Sequence, residues 1–142
     1  MLVFGQFIDN FVEMNKGEAM SNEQPDSKHA FKKDRYSRAR GGNSRFLDVF
    51  CSACGEHVAL YQKDGPGALL RMYLDRVFAP SALATLQYTC CSIRDVPNLE
   101  CPKCHARIGI PMVYAPENRL AFRMVHGSFA KKISDGTYPR SD

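Results

Sequence analysis

The chain has 142 residues and a formal net charge of +4, with 44% apolar residues, 24% charged residues and no tryptophan. That length suits one ordinary domain with some tail, and the composition excludes collagen-like and mucin-like chains. No stretch approaches the roughly 18 uncharged residues that a membrane span needs. The apolar start lacks a basic region and carries Asp9, so it is a poor signal peptide. Six cysteines in such a chain point to a reducing, cytoplasmic compartment, where paired cysteines are metal ligands rather than disulfides.

Charge divides the chain in three: residues 1–27 carry a net −4, residues 28–45 a net +6, and residues 46–142 a net +2. Within the first part Leu2, Phe4, Phe7, Ile8, Phe11 and Val12 recur at the spacing of one face of a helix. The expectation is a short amphipathic helix over residues 2–14 that docks on the domain or on a second copy of the chain. Residues 28–45 are poor in large apolar side chains and read as a flexible basic arm. Lys32, Lys33, Arg35, Arg38, Arg40 and Arg45, mixed with Phe31 and Tyr36, are the candidate nucleic-acid contacts. Residues 1–45 are thus expected to form an appendage, residues 46–134 the folded domain, and residues 135–142 a loose tail.

Strand-like runs at residues 46–50 and 58–61 flank Cys51 and Cys54, with Gly55 suited to the turn between them. Gly65, Pro66 and Gly67 mark a second turn, which with Lys63 and a following helix would resemble an anion site. Leu69, Leu70, Tyr73, Leu74, Val77 and Phe78 form an apolar stripe that predicts a helix ending at Pro80, with Arg71, Asp75 and Arg76 outside. A short second helix is expected from Ser81, then a strand over residues 86–93 that would turn Cys90 and Cys91 to opposite faces. Cys101 and Cys104 precede a strand-like run at residues 107–114. After a turn at residues 115–118, Leu120, Phe122 and Met124 alternate with Arg119, Ala121 and Arg123, which predicts a strand with one buried face and one exposed basic face. Lys131 and Lys132 extend that basic edge.

The two CxxC pairs, with 46 residues between them, carry the chemistry. A tetrahedral zinc site needs four thiolates at about 2.3 Å from one ion, and two tight turns can each supply two. A redox dithiol of the thioredoxin type opens a helix. Here Ile108, Ile110, Pro111 and Val113 follow the second pair and oppose one. Cys51, Cys54, Cys101 and Cys104 are therefore the expected ligands of one structural zinc ion. His57 and His105, near the knuckles, are surface or supporting groups.

These paired knuckles resemble zinc-ribbon proteins, and the long spacer resembles the two-CxxC β-tent group. That group includes Yippee-type proteins, the thalidomide-binding domain of cereblon and B-type methionine sulfoxide reductases. The resemblance spans about residues 46–134 and implies one structural zinc ion on the four cysteines. The tryptophans of the cereblon ligand cage and the reductase's catalytic cysteine strand have no counterpart, so neither activity is implied. The expected fold is mainly β with an inserted helix, a small zinc-ribbon or β-tent-like domain with a flexible N-terminal extension. The expected function is a non-enzymatic module that contacts nucleic acid or a ribonucleoprotein through its basic arm. A protein–protein adaptor is the alternative, and a thiol or redox enzyme ranks third.

Overall fold

The structure, a computed structural model, describes residues 27–139. The helix expected over residues 2–14 lies outside the described residues. In chain order the elements are β1 (Ser27–Lys28), α1 (Arg35–Ala39), β2 (Ser44–Cys51), β3 (His57–Asp64), β4 (Arg71–Tyr73), β5 (Val77–Ala79), α2 (Ser81–Ala84), α3 (Leu86–Thr89), β6 (Leu99–Glu100), β7 (Arg107–Tyr114), β8 (Arg119–Met124), β9 (Phe129–Ser134) and β10 (Thr137–Tyr138), with single 3-10 turns at Leu74–Arg76, Ile93–Asp95 and Ala115–Glu117. Two compact units divide the chain. One is His29–Gly136, and the other contains the short antiparallel pair of β1 with β10. The protein is mainly β, as its sequence predicts.

Within His29–Gly136 two four-stranded antiparallel sheets have the orders β5-β3-β2-β9 and β4-β8-β7-β6. Leu47, Val49 and Tyr61 of the first sheet and Met72, Ile108 and Phe122 of the second belong to one buried cluster. The sheet interior explains why β3 loses the alternation of a half-buried strand. It lies between β2 and β5, and Val58 through Gln62 are all buried. Its second face lies beneath an aromatic layer in which Phe31 stacks on Phe46 at 4.5 Å and Phe46 meets Phe78 edge-on at 5.2 Å. Gln62, on that covered face, accepts from Lys32 N–H at 2.8 Å and donates to the Lys32 carbonyl at 2.9 Å.

Those two bonds show where the structure departs from a flexible arm. Residues 29–33 lie along the sheet, and residues 35–39 form α1, capped by Asp34. The Asp34 carboxylate accepts from the Tyr36 and Ser37 N–H groups, while the Ser37 hydroxyl accepts from Asp34 N–H. Few large apolar residues were needed, because the segment is fastened by charge-assisted hydrogen bonds and not by a core of its own.

The helix expected over residues 69–78 does not form. Residues 71–73 are β4, paired so that Met72 faces Phe122, and Val77 and Ala79 of β5 pair with Tyr61 and Leu60. The 3-10 turn between them carries the chain from one sheet to the other. Two three-residue strands separated by a three-residue turn bring apolar side chains back at three- and four-residue intervals, which mimics a helical stripe. Two open sheet edges outcompeted an uncapped helix rich in β-forming residues. Arg76, expected on the outside, is 1% exposed. The strand expected over residues 86–93 is replaced by α3 and the turn at Ile93–Asp95, whose Asp95 carboxylate accepts from the Cys91 and Ser92 N–H groups. Arg119 and Ala121, expected on an exposed face of β8, are 5% and 0% exposed, so that face is buried at both positions.

Arg76 donates to both oxygens of Asp34 at 2.6 and 3.1 Å and to Asp64 at 2.8 Å. A buried cation so placed keeps two carboxylates in register, and removing it strands them. Asp34 is held well below the ordinary carboxylate range, at about 2, chiefly by the Arg76 hydrogen bond against the cost of burial, with help from the Ser37 and Tyr36 N–H groups. Its folded value is lower than its unfolded value of about 3.9, so its contribution is whole above about pH 4 and lost as pH falls toward 2. Urea titrations should show Arg76→Met costing about 3–5 kcal/mol at pH 7. Asp34→Asn should flatten the loss of stability below about pH 4 relative to the parent. Thiol protonation acts on both proteins alike, so superimposable acid curves for parent and Asp34→Asn would remove this pair from the stability account.

Candidate metal centre

Each CxxC pair sits at the tip of a hairpin, Cys51 and Cys54 between β2 and β3, Cys101 and Cys104 between β6 and β7. The two tips are built alike. Cys51 N–H donates to the Glu56 carbonyl and Gly55 N–H to the Cys51 carbonyl, both at 2.8 Å. Cys101 N–H donates to Ala106 at 2.9 Å and His105 N–H to Cys101 at 3.0 Å. The residue after the second cysteine is left-handed in both, with φ of 83° at Gly55 and 65° at His105. A register shift lies just before each tip, at Val49/Phe50 and at Leu99/Glu100. Such bulges re-aim side chains next to sites.

The sulfur atoms of Cys51, Cys54, Cys101 and Cys104 all lie within 4.8 Å of one another. The Cys51 and Cys104 sulfurs are 3.6 Å apart and those of Cys54 and Cys101 are 3.5 Å apart. No bond joins them, since a disulfide measures about 2.05 Å and all six cysteines are free. Four sulfurs at about 2.3 Å from one ion would be separated by about 3.8 Å at the tetrahedral angle. The set therefore fits a single four-sulfur metal ion. Lys103 and Cys104 N–H groups donate to Cys101 Sγ at 3.4 Å, the kind of hydrogen bond that steadies a thiolate. Burial pushes the Cys101 thiol up, but these N–H groups and the neighbouring thiols outweigh it and bring it down to about 6. Cys51 and Cys101 are buried while Cys54 and Cys104 are exposed.

No histidine or carboxylate joins this cluster among the described residues. His57 Nε2 lies 2.8 Å from Asp48 Oδ1, in keeping with a supporting role. Cys90 and Cys91 stand apart from the four ligands. Four thiolates fill a tetrahedral shell, which leaves no position for a substrate on the metal.

The basic segment is divided by the structure. Lys32 Nζ donates to the Asp75 carbonyl at 2.5 Å and to Gln87 Oε1 at 2.8 Å. Arg40 holds Glu117 with two bonds of 2.9 Å. Both are committed inside the fold, whereas Lys33, Arg35, Arg38 and Arg45 are exposed. Arg119, read as part of a basic edge, donates to Asp75 at 2.6 Å and to Glu117 at 2.9 Å. Lys63 donates to the Gly65 and Pro66 carbonyls, and β4 follows its turn in place of a helix, so the anion-site reading loses its helix terminus. Sequence reasoning missed the set formed by Arg76, Asp34 and Asp64. The available signal was an arginine set into an apolar run with acidic residues upstream, a pattern that does not specify which carboxylate it meets.

Lys63 does reveal a cation cluster. Its pKa is lowered by burial and by the charges of Arg45, Lys131 and Arg40, against Asp64. Arg45 is directly opposite Lys63 across β2 and β3, and Lys131 on β9 pairs with Val49, two steps along the same face from Arg45. Like charges placed opposite one another destabilise a sheet.

Comparison of the chain with protein-family models, curated proteins and solved structures gives no match. The fold and site define a mainly β protein with a four-cysteine cluster suited to a structural metal. No helix among the described residues is long and apolar enough to cross a membrane.

Two outcomes follow. Cys51→Ser or Cys104→Ser should lower bound metal well below one ion per chain and cost several of the about 10–16 kcal/mol that structural zinc supplies. Elemental analysis with thermal melts checks this, and unchanged metal content would remove the assignment. His105→Gly should keep the metal and gain up to about 1 kcal/mol, while His105→Val loses about 1–2 kcal/mol, because only glycine takes the left-handed turn without strain. Urea unfolding of the metal-loaded proteins decides between this backbone account and one in which the imidazole itself matters.

Proposed function

We propose that this chain is a structural-zinc module of the zinc-ribbon type that performs no catalysis and contacts nucleic acid through a basic surface. The observation that carries the metal part is the convergence of four sulfurs from two matching hairpin tips. Zinc is favoured because an all-thiolate tetrahedron suits an ion with no geometric preference of its own, and the same sulfurs leave no open coordination site. Support for the polyanion part comes from exposed Lys33, Arg35, Arg38 and Arg45 and from the row of Arg45, Lys63 and Lys131. A sheet that sets like charges face to face gains when a phosphate chain lies across them. The adaptor alternative rests on residues 2–14, outside the described residues.

Zinc should be present at one ion per chain, and iron in its place would colour the protein. Fluorescence anisotropy with a single-stranded RNA oligonucleotide should show affinity falling with salt at about 0.7 log units per phosphate neutralised. Arg45→Ala and Lys131→Ala should each weaken binding and reduce that slope, by about 1 per contact at most. Lys32→Ala should act through stability instead, since Lys32 faces inward. Affinity that ignores salt, or no RNA binding alongside capture of a protein through an apolar face, would favour the adaptor.

A further inference from the structure

Tyr73 of β4 holds its hydroxyl between two guanidinium groups. Arg71 Nε–H donates to it at 3.0 Å and Arg40 Nη2–H at 3.1 Å. A guanidinium has no acceptor to offer, so the hydroxyl's own hydrogen needs a partner elsewhere. Among the described residues none takes it, although Tyr73 is only 7% exposed. A polar hydrogen so enclosed is costly to leave without an acceptor. The two arginines differ in what answers their charge. Glu117 closes Arg40 by accepting two hydrogen bonds from it. Arg71 meets no carboxylate among the described residues, and directly across β4 and β8 it faces another cation, Arg123. Its guanidinium is held over the Tyr114 ring at 4.2 Å from the centroid, with Nε fixed on Tyr73. Its two Nη nitrogens have no partner, and unlike Arg119 Nε they are open to solvent.

Arg40, Arg71 and Tyr73 line one cavity of about 370 Å³ with Lys63 of β3 and the turn at residues 65–67. That volume falls in the range of small-molecule sites. Two ammonium hydrogens of Lys63 go to the Gly65 and Pro66 carbonyls, which fixes its charge in the lining and leaves one donor. Asp64 is the one carboxylate of the lining, and both its oxygens are engaged. Oδ2 accepts from Arg76, and Oδ1 from Ser44 and Gln62. The cavity thus presents two cations outside any ion pair, Lys63 and Arg71, beside a phenol hydrogen that lacks an acceptor.

We infer that this cavity binds the phosphate group of a phosphate monoester. The two Nη groups of Arg71 take two phosphate oxygens as a fork, the third accepts from Tyr73 O–H, and Lys63 answers the remaining charge. A monoester carries three terminal oxygens and a charge of about −1.5 to −2 at pH 7. A diester offers two such oxygens and a single charge, and a carboxylate two oxygens in one plane, so each leaves a donor of this set unmet. Leu70, 63% exposed in the same lining, gives the organic part of the ester an apolar surface. The site is separate from the four-cysteine cluster. It stands whether or not the chain binds nucleic acid, although Lys63 belongs to both surfaces.

The test titrates the full metal-loaded chain with methyl phosphate, dimethyl phosphate and acetate. Arginine Nε–H groups give their own nitrogen–proton NMR signals. Methyl phosphate should move the Arg71 signal in a saturable way and bind about tenfold more tightly than the other two probes. Its affinity should rise as pH passes upward through about 6, where the second phosphate proton leaves. For variants, binding is read from the phosphorus signal of the ligand and folding from thermal melts. Arg71→Gln should lose about tenfold, and Arg71→Lys, which keeps the charge without the fork, should recover only part of it. Tyr73→Phe should weaken binding about threefold or more. Two RNA strands of one sequence, with a 5′-phosphate or a 5′-hydroxyl, then separate the sources. Tighter binding of the phosphorylated strand, lost in Arg71→Gln, assigns the site to strand ends, and equal binding of both assigns it to a free monoester. Absence of a saturable shift, or equal shifts from methyl and dimethyl phosphate, would reduce Arg71 to a screened surface cation and overturn the proposal. A folded Arg71→Gln protein that binds methyl phosphate as the parent does would overturn it as well.

Discussion

Four sulfur atoms must meet at one point, and the two hairpins that deliver them belong to different sheets. For the Cys51 pair that means the register of β2 on β3, and for the Cys101 pair that of β6 on β7. A slip of one residue in either pairing would turn a cysteine to the opposite face and leave the shell incomplete. The cluster therefore ties together choices made along two separate stretches of chain, with 46 residues folded between the pairs. A sheet pair of this size buries a limited core, and a metal ion held across both sheets would add stability that apolar area alone does not supply.

Electrostatics does comparable organising work where the chain passes between the sheets. The turn at Leu74–Arg76 places Arg76 on Asp34 and Asp64, while its neighbour Asp75 holds Arg119. Glu117 then joins Arg119 to Arg40, so the basic segment is fastened to both sheets through one short turn. Taking these charges out of water is expensive, and they persist because each meets an opposite charge with short, directed hydrogen bonds. Two of the six basic side chains read from residues 28–45 as a binding surface, Lys32 and Arg40, are in this way committed to architecture, while Lys33, Arg35, Arg38 and Arg45 stay exposed, Arg45 beside Lys63.

What could be read in advance divides along the same physical line. The cysteine pairs were legible because a ligand set needs particular residue types at a particular spacing, and the strands on either side of each pair were legible from β-branched and aromatic runs. The stripe from Leu69 to Phe78 was misread because period alone cannot tell one helix from two short strands joined by a turn. Residues 86–93 were misread because Asp95, which fixes the local turn, lies beyond the apolar run that suggested a strand. Arg119 resembled an outward residue because alternation was counted without the tyrosines and carboxylates that cover it. Long-range pairing of charge leaves little mark on local sequence, and it accounts for the placement of Arg76 and Arg119 alike.

The arrangement of buried and exposed sulfurs has a consequence for how a metal ion would leave. The outer sulfurs, Cys54 and Cys104, come from different hairpins, as do the inner ones, Cys51 and Cys101. A competing ligand arriving from solvent meets one accessible sulfur from each hairpin. If both outer sulfurs release together, the ion is still held by one inner sulfur on each side. The joint between the sheets then opens only after an attack that reaches past the surface, so exchange can begin at the rim while the two hairpins remain fastened.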